Sequence, residues 1–87
     1  MNQNNFRDWK VLCWNVRGLN SENSQRAVCQ KIDESGCSVV CLQETKCEMM
    51  DQRFIRKFCP RHFDHFVFVP SVGASGGMIV LWNSALL

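Results

Sequence analysis

The sequence predicts an α/β fold with the element order β-α-β-α-β-β, and three observations carry that prediction. Short apolar runs rich in β-branched and aromatic residues recur at 10–16, 39–43, 66–69 and 78–82. Stretches with apolar residues three and four apart lie between the first and second runs and between the second and third. Gly, Pro, Asn and Ser punctuate the joints. Strands interleaved with amphipathic helices pack the helices on a mixed sheet.

The first strand is "KVLCWNV", Lys10 to Val16, with β-branched residues at Val11 and Val16. "RGLNSENS" follows as loop and cap, and a helix is expected from Ser24 to Ser35. Val28 and Ile32 share one face of that helix with Ala27, and Gly36 suits the position that ends it. Val39 to Gln43 is nearly all apolar, which predicts a strand covered on both faces. Asp51 to Phe58 predicts a short helix with Phe54, Ile55 and Phe58 inward and Arg53, Arg56 and Lys57 elsewhere; Pro60 ends it. "FVFV", Phe66 to Val69, and "MIVLW", Met78 to Trp82, read as two further buried strands. The loop between them, "PSVGASGG", contains three glycines and suits a hairpin.

The chain has 87 residues, which bounds it to one small core. Apolar residues make up 46%, a globular value rather than a disordered one. The net charge of +2 neither demands nor excludes a nucleic-acid partner. Met78 to Trp82 is far too short to span a bilayer, so no membrane role is expected. "MNQNNFRDWK" lacks the apolar segment of a signal peptide, which makes a nuclear or cytoplasmic, non-secreted location the expectation. Six cysteines are present, none in Cys-x-x-Cys spacing; without a secretion signal they are expected as free thiols. Nothing in the sequence specifies an oligomeric state.

The order of elements builds a site. Two strands joined through a helix run parallel and end on the same sheet edge, and that carboxyl edge is where open α/β sheets bind ligands. Asn15 lies near the end of the first strand and Glu44 at the end of the second. A hard divalent cation would compensate a carboxylate there, because Mg²⁺ takes one or two protein carboxylates and leaves its other positions to water and phosphate. Position alone leaves a second reading open: a solvated charge at a strand end, with Asn15, Arg17 and Gly18 as turn residues.

Three segments in order, "LCWNVRGLNS" (12–21), "VVCLQETK" (39–46) and "GASGGMIVLWN" (73–83), resemble the start of an endonuclease/exonuclease/phosphatase domain. The resemblance is strongest to the apurinic-endonuclease-like nuclease of plant LINE-type non-LTR retrotransposons, and it runs from Trp9 onward. It implies a four-layer α/β sandwich of two sheets packed face to face, of which this chain would be the N-terminal portion. It implies cleavage of phosphodiester or phosphomonoester bonds, here of a DNA phosphodiester, with DNA as partner and Mg²⁺ or Mn²⁺ as cofactor. By motif, Glu44 matches the metal-ligating Glu, Asn15 the first active-site Asn, and Gln43 the polar neighbour that supports that Glu. Lys46, directly after the Thr of "QET", is a candidate phosphate contact.

Family domains continue into an Asp-x-Asn segment and a Ser-Asp-His segment, and the sequence reaches Leu87 before either. The resemblance therefore implies residues 1–8 as a disordered tail and 9–87 as a truncated domain, inactive alone and a weak Mg²⁺ binder at best. The alternative is a non-enzymatic retroelement remnant, or a piece that depends on a partner to cover an exposed sheet face. Ser38 stands where the family often has an acidic residue, which predicts an altered cap or surface contact.

Other features read as structure. "CPRHFDH", Cys59 to His65, has the wrong spacing for zinc and reads as a loop with Phe63 buried. Arg53, Arg56, Lys57 and Arg61 form a basic stripe, either a DNA-phosphate contact or the solvated side of a helix. "GASGG" is no phosphate loop, because no Gly-Lys-Ser/Thr follows, and reads as a flexible turn. Trp14 and Trp82 are expected in the core, with Trp14 pointing away from Asn15 by strand alternation.

Overall fold

The computed structural model describes residues 10–85. The tail expected over residues 1–8 lies outside the described residues. The elements follow the predicted order: β1 (Val11–Asn15), α1 (Glu22–Ser35), β2 (Val39–Gln43), α2 (Gln52–Ile55), β3 (His65–Val69) and β4 (Met78–Trp82). The strands form one sheet in the order β1-β2-β4-β3. β1 and β2 are parallel, as a β-α-β unit requires, whereas β4 runs antiparallel to both β2 and β3. The β3–β4 hairpin forms as expected. Among the described residues, no helix is long and apolar enough to cross a membrane.

Alternation sorts each strand onto two faces. Register joins Leu12, Val40, Leu81 and Phe66 in one row across the sheet, and Trp14, Leu42, Ile79 and Phe68 in the next. These rows meet Val28 and Ile32 of α1 and Ile55 of α2 in a single core that also takes Leu19, Phe58 and Phe63. Both helices thus serve the same side of the sheet.

The opposite rows are Val11, Val39, Trp82 and His65, then Cys13, Cys41, Val80 and Val67. Val11 is 59% exposed and Val67 57%. This corrects two expectations. β2 is not covered on both faces, and β3 is a half-exposed strand rather than a buried one. Trp82, expected in the core, lies instead on the uncovered side, its ring 5.8 Å from that of His65, while Trp14 packs against the core as expected.

Local chemistry explains the element ends. α1 begins two residues earlier than predicted because the Ser21 hydroxyl accepts from the Ser24 amide and caps it. Gln25, not Ala27, shares the buried face with Val28 and Ile32, its amide donating to the Leu19 carbonyl at 2.9 Å. Gly36 ends the helix with φ 64°. α2 is a single turn capped by Asp51, shorter than the predicted span. The Arg56 guanidinium turns back onto the carbonyls of Cys59, Pro60 and Phe63 and closes the chain there. Arg56 is therefore no part of a free basic stripe. Ser38 is buried rather than on the surface: its amide donates to the Lys10 carbonyl and its carbonyl accepts from Asn83. That residue ties β1, β2 and β4 together at the end remote from Glu44.

Candidate active site

The parallel pairing sets Asn15 opposite Gln43, so Glu44 emerges beside the end of β1. The Asn15 side-chain amide donates to Glu44 Oε2 at 2.5 Å. The two residues singled out from sequence are thus brought into direct contact at the carboxyl edge. Both are exposed, and the carboxylate keeps lone pairs that the amide does not use. Gln43 reaches the same edge as the register partner of Asn15, and its carbonyl accepts from the Val16 amide at 2.9 Å. Lys46 is exposed two residues beyond Glu44, and its side chain runs beside Gly18.

The loop that carries these groups is strained. Arg17, Glu44 and Lys46 all take left-handed backbone conformations, with φ of 56°, 57° and 59°. Non-glycine residues held so cost on the order of 1–3 kcal/mol each and persist only where neighbours over-determine them. The neighbours here lie on both sides. Gly18 and Leu19 donate to the carbonyls of Glu44 and Thr45, at 2.8 and 2.9 Å. On the other side the amides of Thr45 and Lys46 donate to the carbonyls of Gly77 and Gly76, at 3.2 and 2.9 Å. The "GASGG" segment is therefore more than a flexible turn. Its last two residues extend the sheet ladder past Glu44.

Cys47 closes the segment from beneath. Its buried thiol donates toward the Thr45 carbonyl at 3.4 Å, and burial pushes that thiol up from its ordinary value. It packs in the core as a small hydrophobe. Cys59 and Phe63 are buried, and the His62 ring lies against Phe63 with centroids 4.6 Å apart, so "CPRHFD" is the loop entering β3, with His65 already in the strand. Among the described residues no group of three or more His, Cys, Asp or Glu gathers into a metal site.

The donor set still suits a hard cation in part. Glu44 offers carboxylate oxygen at an open edge, and a Mg²⁺ ion that keeps several waters needs only one or two such ligands. Sequence reasoning found Asn15 and Glu44 but missed Thr45, Gly76 and Gly77. The available signal was the Gly-Gly pair directly before a strand, which marks close backbone approach.

Residues 12–87 match the model of the Endonuclease/Exonuclease/phosphatase family. The fold is similar to the crystal structure of AP endonuclease LMAP from Leishmania major, with a TM-score of 0.68 and 22% identity over 88% of this chain. It is similar also to an AP endonuclease from Archaeoglobus fulgidus, with a TM-score of 0.60 and 25% identity over 84% of this chain. The chain spans 24% and 27% of those two structures. No curated protein sequence matches it.

Proposed function

The chain belongs to the endonuclease/exonuclease/phosphatase family, and from that premise we propose that it forms the amino-terminal part of a Mg²⁺- or Mn²⁺-dependent, retrotransposon-type DNA endonuclease. The observation that carries this reading is the Asn15–Glu44 hydrogen bond at the carboxyl edge of the parallel strands. Glu44 would hold the metal through its carboxylate, one oxygen of which the Asn15 amide leaves unused. Asn15 orients that carboxylate with an uncharged donor, so it adds no competing charge. Lys46 offers an ammonium to a DNA phosphate next to the metal. The metal, when bound, polarises the scissile phosphate and stabilises the charge that builds on its oxygens.

On this reading the 87 residues alone do not cleave DNA. Among the described residues Glu44 is the carboxylate that meets Asn15 at this edge, and the remaining members of a catalytic set do not replace missing ones. Plasmid nicking with Mg²⁺ tests this directly. The 87-residue chain is expected to leave supercoiled plasmid intact. A reading frame that continues through Asp-x-Asn and Ser-Asp-His segments is expected to nick it, and Glu44→Ala should slow that nicking by about a hundredfold or more. Nicking by the 87-residue chain that vanishes in Glu44→Ala would overturn the claim of inactivity.

The uncovered apolar face supports a second reading, a non-catalytic remnant or an interaction piece that needs a partner. An extended frame that fails to nick under any divalent metal would favour it.

A further inference from the structure

We propose that Gly77 is a positioning residue for Glu44, acting through Thr45. The absence of a side chain at Gly77 lets the Gly76–Gly77 backbone close on Thr45, and that closure holds Glu44 in the conformation that brings its carboxylate to Asn15. The proposal rests on the reading of Glu44 as the acid that meets the metal.

The geometry is specific to one glycine of the pair. A Cβ at Gly77 would lie 2.4 Å from Thr45 Oγ1, and 3.3 Å from both the Lys46 amide nitrogen and Ser71 Cβ. No real Cβ contact is as short as the first, so something must shift. Thr45 has nowhere to go: it is fully buried, and its Oγ1 accepts from the Cys47 amide at 3.4 Å. Ser71 is buried too, its hydroxyl without a hydrogen-bond partner among the described residues and its amide donating to the Cys47 carbonyl at 2.9 Å. The easiest motion left is for the 44–46 segment to slide away from Gly77. That segment carries the two left-handed residues, Glu44 and Lys46, on either side of Thr45. Losing the Thr45–Gly77 and Lys46–Gly76 hydrogen bonds removes the ties that hold them from that side. A carboxylate displaced in this way no longer meets the Asn15 amide, and a site built to about half an ångström loses its function.

Gly76 supplies the control. Its φ of 79° resembles the 91° of Gly77, so an alanine strains the backbone at either position. Around Gly76, however, a Cβ would meet nothing within 4 Å. Gly76→Ala carries the backbone strain without the contact.

The test reads the Asn15 side-chain amide in ¹H–¹⁵N spectra of the 87-residue chain, assigned through Asn15→Asp, with Glu44→Gln as the reference for a lost charge. Gly77→Ala should shift or broaden the Asn15 signal and the Gly18 amide, which donates to the Glu44 carbonyl. Gly76→Ala should leave both close to wild type. Adding Thr45→Ala to Gly77→Ala removes Oγ1 and should return the Asn15 signal most of the way. Equal shifts from Gly76→Ala and Gly77→Ala would overturn the proposal, as would a double variant that fails to recover. Should Gly77→Ala fail to fold, a folded double variant with a near-native Asn15 signal upholds the proposal and an unfolded one sinks it. None of these readouts needs metal or cleavage. Mn²⁺ added to the wild type tests the underlying reading separately, through broadening centred on Glu44.

Discussion

The two faces of the sheet are built from the same four strands, yet they live in different environments. Leu42 and Val40 on one face are fully buried, while Val11 and Val67 on the other are more than half exposed. Both faces are apolar, and their residues alternate along every strand. What separates them is that α1 and α2 both pack on one side. Apolar composition sets a strand's capacity for burial, and the connections decide which face uses it.

The largest expected effect comes from breaking that asymmetry in the core. Leu42→Ala removes a side chain held between Trp14 and Ile79 in register, and should cost about 2–5 kcal/mol in a urea titration. Val67→Ala, on the other face of the same sheet, should change stability by roughly 0.5 kcal/mol or less. Val67→Lys should match it in stability and lower any self-association seen by size-exclusion chromatography. Equal costs for Leu42→Ala and Val67→Ala would mean that the second face is covered in solution.

A smaller effect separates the cysteines by face. Cys13 is exposed on the uncovered side, whereas Cys59 lies in the core. Burial pushes the Cys59 thiol from 9.0 up to about 12, against the opposing pull of the Arg56 guanidinium. The folded state thus keeps a proton that the unfolded chain releases near pH 9. Stability should hold below about pH 9 and fall as pH rises toward 12, and Cys59→Ala should flatten that alkaline limb. At pH 8 a thiol reagent should label Cys13 well before Cys59. Labelling at equal rates would mean that the core opens as readily as the exposed face.

How far this was legible in the sequence differs between face and edge. The bounds of β2 and β4 were readable because each is a short apolar run between turn residues. The meeting of Asn15 and Glu44 was readable too, since a helical crossover makes two strands end on one edge. The exposure of β3 was not, because "FVFV" has the same apolar content whether or not a layer covers it. The left-handed backbone at Glu44 left no trace, since Glu is not a residue that favours it. Arg56 looked like surface charge because spacing along a helix cannot reveal that the helix stops after one turn and the guanidinium folds back.

The smallest expected effect lies where the uncovered face meets the end of β4. The Asp64 carboxylate accepts from the Ser84 amide at 3.0 Å and from its hydroxyl at 2.7 Å, just beyond Trp82. Those two hydrogen bonds, the amide's first, hold the carboxyl well below the usual carboxylate range. A depressed folded-state value means that the contribution is present above the ordinary value of 3.8 and is lost as pH falls below it. Asp64→Asn should therefore flatten the acid limb of a stability–pH profile and leave the alkaline limb, to which Cys59 contributes, unchanged. The side chain is 47% exposed, so solvent screens the charge and the change should be the smallest of the three. An acid-limb effect as large as that of Leu42→Ala would break the comparison between faces, because it would show an exposed tie bearing as much of the fold as a buried core residue does.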